Sequence, residues 1–343
     1  MDFRTIVPLP PDAPVITPST HALVLGSCFA ENVGERLRTA LTPEQCCVNP
    51  FGVLYNPMSI AQALEVILGK LEKLETLEKL ETLEKLEALE KLENLEKLET
   101  LENLENLAPQ ENLPIFLGRD GLWHSWLHST HYSAPTREEC LARCNAALAE
   151  ARRILGRADL FIVTFGTSRS YLLNDATTGE PTDFVVANCH KELATRFTER
   201  DFSVSEIVAT WRPLLAKLQR LRPSLQVVFT VSPYRYRKYG FHASQLAKAR
   251  LLLAVEELTS SLLPPTSSLL PPTSSLTYFP AYEILLDELR DYRFYKPDML
   301  HPSEQAVDYI WERFREWTFT PEMNQLYTQR IKQLKALNHH VYH

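Results

Sequence analysis

The chain has 343 residues, with 36 Lys and Arg against 43 Asp and Glu, a formal net charge of −7 and 45% apolar residues. Such a length buries a core of ordinary size without disulfide or metal staples, as one large domain or two smaller ones. Residues 71–107 alone carry 12 Glu and 5 Lys, which accounts for the whole net charge, and the near-neutral remainder argues against nucleic acid or a polybasic membrane surface.

In chain order, the N-terminal stretch lacks a basic region followed by an apolar one, so no targeting segment is expected. HALVLG (21–26) is a short apolar run ending in Gly and reads as a buried strand; residues 31–41 read as a helix. Cys47 and Val48 read as a second strand, and residues 57–70 have helical spacing. Residues 71–107 then repeat a hexad close to KLETLE, with Leu at every third position. Period three drifts around a helix, so these leucines spiral and form no single stripe or coiled-coil seam. Pairs such as Glu75–Lys79 and Glu81–Lys85 support a long, exposed, protruding helix.

Residues 115–133 read as short strands with aromatic clusters, 137–155 as an amphipathic helix and 158–166 (ADLFIVTFG) as the strongest strand. A hairpin-like excursion follows over 170–187, then a helix at 203–221, a strand at 225–233 and a helix at 243–258. Residues 260–276 repeat a Pro-Pro heptad, which forbids helix and central strand and reads as an exposed loop. Helices at 283–290 and 302–317 follow. Apolar strands alternating with amphipathic helices predict an α/β domain with a parallel sheet covered on both faces. The domain is expected to span 1–320 with insertions at 71–107 and 260–276, and 321–343 to form a helical tail. No apolar run approaches the roughly 18 residues that cross a membrane. The six cysteines show no C-x-x-C and no zinc spacing, so a cytoplasmic protein with reduced thiols, no metal and no cofactor is expected.

In such a sheet the chemistry gathers at the carboxyl ends of strands, here after Gly26, Gly166 and Val231. Ser27 stands between a strand and a helix, where free helix N–H groups can hold an oxyanion; it is a nucleophile or simply a turn and N-cap. Asp298 and His301 lie three residues apart in a loop entering a helix, so the carboxylate can orient the imidazole while its other nitrogen takes a proton; otherwise the histidine only caps the helix. Cys28 reads as a small buried hydrophobe under the helix, and Cys189 is adjacent in sequence to His190 without being aimed at it. His124, His128 and His131 lack partner carboxylates and read as a packed hairpin. Arg235 and Arg237 meet either solvent or an anionic substrate.

Gly-Ser-Cys-Phe-Ala (26–30) is the name-giving motif of the GSCFA family, and the resemblance extends through NPFGVLYNP (49–57), TFGTSRSY (164–171) and VVANCHK (185–191). It continues through FTVSPYRYRKYG (229–240) and YFPAYEILLDELRDYRFYKPDMLHPS (278–303), covering nearly all of the chain outside the two repeats. The resemblance implies an SGNH-like (flavodoxin-like) three-layer sandwich with a mostly parallel sheet. By the same resemblance Ser27 matches the nucleophile, His301 the base and Asp298 its orienter. Ser27 and Gly52 match the oxyanion backbone donors. The family's Gly-x-Asn-Asp element reads Gly166-Thr167-Ser168 here, without Asn. Its donor is Thr167, Ser168 or Asn188; the last, if extended, shares a pocket-facing side with His190. The implied activity is that of a serine hydrolase or acyltransferase acting on a small-molecule or glycan ester through an acyl-enzyme. The rivals are an inactive ligand-binding module of the same fold, or a scaffold using the Leu/Glu arm.

Overall fold

The computed structural model describes residues 5–69, 113–260 and 276–340. The Leu/Glu repeat and all but the ends of the Pro-Pro segment therefore lie outside the described residues.

The framework is a five-stranded parallel sheet: β1 (Ala22–Gly26), β2 (Cys46–Val48), β5 (Leu160–Phe165), β9 (Gln226–Val231) and β10 (Leu276–Tyr278). Their order across the sheet is β2-β1-β5-β9-β10, the flavodoxin-like order 2-1-3-4-5 when these strands are counted alone. The register sets Gly26 beside Thr164 and Phe165 beside Val231, so the central strands end nearly level.

Alternation along the strands divides the core in two. Leu23, Leu25, Phe161, Val163, Val227 and Phe229 face one layer of helices. It comprises α2 (57–69), α3 (Arg137–Leu155), α4 (Val204–Leu221) and α5 (Phe241–Thr259). Ala22, Val24, Leu160, Ile162 and Val228 face the other. That layer holds α1 (Cys28–Ala40), α7 (Glu304–Thr318) and α8 (Pro321–His340), together with α6, a single turn Ala281–Glu283 that widens into a π-helical turn, Ile284–Glu288. The strands are mostly apolar, broken only by Thr164, Gln226, Thr230 and Thr277, because both faces are covered. Buried Trp211 ties α4 to the start of α2 by donating to the Pro57 carbonyl at 3.1 Å.

Two smaller sheets flank the framework. β3 (Ile115–Leu117) and β4 (Trp123–Ser125) form an antiparallel hairpin. β6 (Arg169–Asn174), β7 (Pro181–Val185) and β8 (Phe197–Asp201) form an antiparallel sheet in the order β7-β6-β8.

Several expectations change. The first helix starts at Cys28 rather than residue 31, because Ser27 caps it and the chain enters helical geometry at once. The helix expected at 283–290 is mostly π-helical, with the Leu289 N–H donating to the Ile284 carbonyl at 3.0 Å. The segment after residue 320 is a helix, but it is not merely a tail: Met323 is fully buried, and Trp311 of α7 donates to the Tyr327 hydroxyl at 3.0 Å. β8 and β10 escape notice in the sequence. Phe-Thr-Glu-Arg-Asp has no apolar alternation because its strand is an exposed edge, and β10 is three residues long. Among the described residues no helix is long and apolar enough to cross a membrane.

Candidate active site

The turn from β1 into α1 lies at the switch point, where β1 has β2 on one side and β5 on the other. Gly26 leaves the strand at φ +146°. Ser27 is extended, and its Oγ accepts the Phe29 N–H at 3.3 Å as the helix N-cap. This serine is 1% exposed. Cys28, the first helical residue, is only partly buried, contrary to the buried hydrophobe expected. Burial raises its thiol pKa and Glu31 adds to the rise, while Lys248 and the N–H groups of Phe29 and Cys28 act in the opposite sense.

The Asp298–His301 pairing forms. Asp298 Oδ2 meets His301 Nδ1 at 2.5 Å, while Oδ1 accepts the N–H groups of Leu300 and His301 at 2.9 and 3.0 Å. Those N–H groups, and then the imidazole, hold the Asp298 carboxyl well below its ordinary range. Met299, at φ +59°, closes the turn that lets both ends of one carboxylate engage. The Tyr234 ring centroid lies 4.3 Å from that of the imidazole, and burial is the main cause that raises the Tyr234 pKa. The Arg235 N–H donates to the Leu300 carbonyl at 3.1 Å, so the end of β9 carries the histidine turn.

Beneath both turns is a floor that no motif announced. Lys248 of α5 is 2% exposed and donates to the Gly166 carbonyl at 2.5 Å and the Ser232 carbonyl at 2.6 Å, clipping the ends of β5 and β9 together. The N–H groups of Gly166 and Thr167 donate to the Tyr55 carbonyl at 2.8 and 2.9 Å. A Cβ on Gly166 would sit 2.8 Å from both that carbonyl oxygen and the Tyr236 hydroxyl, so only glycine fits. The sequence did carry one signal: Lys248 falls on the stripe of α5 that buries Ser244, Ala247, Leu251 and Val255.

Burial lowers the Lys248 pKa to about 7, with Cys28 opposing and Arg235 assisting. Above that pH the unfolded chain keeps a proton that the folded chain has lost, so stability rises with pH up to the ordinary lysine range. Denaturant unfolding should show wild type gaining about 2 kcal/mol over Lys248→Met between about pH 7 and pH 9. Parallel pH curves for the two proteins would mean that the ammonium stays charged.

The remaining predicted residues distribute unevenly. Gly52 (φ +74°) follows β2 as expected, but its N–H donates to the Asn49 carbonyl at 2.7 Å, and an oxyanion would have to share that bond. Asn188 Oδ1 accepts the His190 N–H at 2.7 Å, closing its own loop. The extended strand expected here does not form, since His190 and Lys191 take φ +48° and +58°. His190 packs against His124 and Phe116, with Nε2 3.0 Å from the Ser125 carbonyl. Burial lowers its pKa to about 4. Thr167 and Ser168 are buried; Ser168 donates to Asp201 at 2.5 Å, and Thr167 Oγ1 accepts the Arg169 N–H at 3.2 Å. Burial raises the Cys189 thiol to about 11. In the hairpin, His124 does have a carboxylate partner, contrary to expectation, because the turn brings Asp120 to it at 2.9 Å; it also bonds Ser133 at 2.6 Å, and His128 bonds Ser125 at 2.8 Å.

Beside α1 opens a cavity of about 710 Å³, whose walls include Glu31, Asn49, Gly52, Tyr55, Tyr132 and Asn188. The Glu31 N–H donates to the Ser27 carbonyl at 3.1 Å, and the Leu54 N–H, beside Tyr55, donates to the Gly26 carbonyl at 2.8 Å, so the cavity adjoins the β1–α1 turn.

Two solved structures share partial likeness with the chain. One is a carbohydrate esterase family 3 from Talaromyces cellulolyticus, at 12% identity and TM-score 0.26, with 50% of this chain covering 60% of that one. The other is an acetyl esterase mutant with acetate ion, at 11% identity and TM-score 0.26, with 52% of this chain covering 66% of that one. The chain thus spans less than two thirds of either. No curated protein matches it. The family model described as the GSCFA family matches residues 21–113 and 109–314, and the protein belongs to that family.

Proposed function

We propose that the protein is a hydrolase of SGNH type that cleaves an ester by acyl transfer. Ser27 is its nucleophile, His301 the base and Asp298 its orienter. The observation that carries this reading is the 2.5 Å Asp298–His301 contact at the carboxyl edge of the parallel sheet. With its Nδ1–H given to Asp298, the imidazole presents Nε2 as proton acceptor, and the carboxylate stabilises the imidazolium that forms. Attack on the ester carbonyl places negative charge on its oxygen, and the first N–H groups of α1 are donors suited to that charge. His301 then returns the proton to the departing alcohol. Water, or a second alcohol in an acyltransferase, releases the acyl group by the same steps. The adjoining cavity, with carboxylate and amide walls and the rings of Tyr55 and Tyr132, suits the hydroxyl-rich alcohol of an acylated glycan.

The test is turnover of para-nitrophenyl acetate and of acetylated sugars, with acid quenching and intact-mass measurement. Hydrolysis with an acyl adduct on the peptide spanning 22–40 is expected. A pure, folded protein that hydrolyses none of these and carries no adduct is a binding module.

A further inference from the structure

Several donors that the family pattern offers to an oxyanion are engaged elsewhere. The Gly52 N–H donates to the Asn49 carbonyl, those of Gly166 and Thr167 donate to the Tyr55 carbonyl, and the Ser168 hydroxyl donates to Asp201. We infer that the Asn49 side-chain amide takes their role, with Nδ2 donating to the substrate carbonyl oxygen as Ser27 attacks. Asn49 directly follows β2 and is 6% exposed. Its N–H donates to the Val24 carbonyl at 2.9 Å, and its Oδ1 accepts the Gly26 N–H at 2.9 Å. The second bond ends on the residue covalently joined to Ser27. It also fixes which way the amide faces. Only oxygen accepts an N–H, so turning the amide over would set donor against donor. Nδ2 is the half left over, and it is buried with no hydrogen-bond partner among the described residues. A stranded amide donor is costly in a folded protein unless a bound group satisfies it. Asn49 also lines the cavity of about 710 Å³ beside the β1–α1 turn, together with Gly52. A cavity wall and an unspent donor thus meet on one side chain.

Ser27 Oγ accepts the Phe29 N–H, which leaves its own proton free to pass to His301. As the Oγ electron pair forms a bond to the carbonyl carbon, the π pair moves onto the carbonyl oxygen, and Nδ2 donates to the charge that gathers there. When that pair returns, the C–O bond to the alcohol breaks and the alcohol leaves with the proton from His301. Water repeats the steps on the acyl-serine: it gives a proton to His301, the oxyanion forms again against Nδ2, and its collapse returns the proton to Ser27 and frees the carboxylic acid. An amide is suited to this place because it holds Gly26 through its oxygen and keeps two N–H groups for the substrate. It carries no net charge, so it strengthens its bond as the oxyanion develops without binding an anion tightly beforehand.

This inference rests on the hydrolase reading, and the two fail differently. Wild-type protein is treated with diethyl para-nitrophenyl phosphate, which phosphorylates an activated serine and leaves a phosphoryl oxygen where the oxyanion would form. Peptide mapping locates the adduct, and its crystal structure gives the distance from Asn49 Nδ2 to that oxygen. A hydrogen bond of about 2.7–3.2 Å is expected. Asn49→Asp is the matching variant. Its Oδ1 still accepts the Gly26 N–H, aspartate also tolerates the backbone at φ +46°, and the donor is gone. Its kcat for para-nitrophenyl acetate should fall about 10²–10³-fold while KM stays within about 3-fold, because the lost bond is made only in the transition state. An asparagine that merely braces Gly26 would keep its rate in this variant. A Ser27 adduct whose phosphoryl oxygen lies beyond about 4 Å of Nδ2, or a folded Asn49→Asp protein with wild-type kcat, overturns the Asn49 assignment alone. No adduct and no turnover overturns both. The wild-type adduct decides even where the variant does not fold.

Discussion

Replacing His301 by alanine is expected to lower kcat/KM for an aryl acetate by about 10³-fold or more while leaving the unfolding midpoint nearly unchanged. The two parts of this expectation have separate causes. The imidazole is 40% exposed, and its structural bond is to Asp298, itself 42% exposed, so its removal uncovers little apolar surface. On the proposed reading it is the base that takes the nucleophile's proton and returns it to the departing alcohol. Asp298→Asn should cost about 10²–10⁴-fold, because the amide keeps the turn's backbone acceptor but favours the wrong tautomer of the imidazole. Asp298→Ala is a poorer test, since it also strands the N–H groups of Leu300 and His301. A His301→Ala protein that hydrolyses at the wild-type rate removes the observation on which the hydrolase reading stands.

Gly26→Ala should destabilise the protein by about 3–5 kcal/mol. A Cβ at residue 26 would meet the Thr164 carbonyl oxygen at 2.4 Å and the Thr164 nitrogen at 2.9 Å. Both are backbone atoms of the neighbouring central strand and cannot swing aside. The φ of +146° adds a second cost, because L side chains rarely adopt it. The first letter of the Gly-Ser-Cys-Phe-Ala motif is therefore explained by close strand approach rather than by chemistry. Denaturant unfolding measures the loss, and a change below about 1 kcal/mol would mean that β1 and β5 separate more easily than their ladder implies.

The central strands were legible because each is a continuous apolar run, which only a doubly covered sheet requires. β8 was not, since its Thr198, Glu199, Arg200 and Asp201 look like loop residues until β6 pairs with them. Asp298 and His301 were legible because their partnership is local, three residues apart within one turn. Lys248, Tyr55, Tyr234 and Tyr236 come from a helix and two loops, and only the folded chain brings them under the same turn. Asn188 and His190 were read as sharing one face on the premise of an extended strand. Two left-handed residues at 190 and 191 break that premise, a local conformation that no side-chain periodicity encodes.

One layer of the core joins the two ends of the chain: Ile16 and α1 pack there with α7 and Met323 of α8. During synthesis from the N-terminus, β1, β5 and β9 can pair and be covered on one side by α2–α5 while the other side has only α1. Ala22, Val24, Leu160, Ile162 and Val228 are then covered by α1 alone until α6 and α7 leave the ribosome. The nascent chain is therefore adhesive along part of its second face until α6 and α7 have been made. The same stretch that closes the second core, running from Asp298 into α7, also delivers the imidazole.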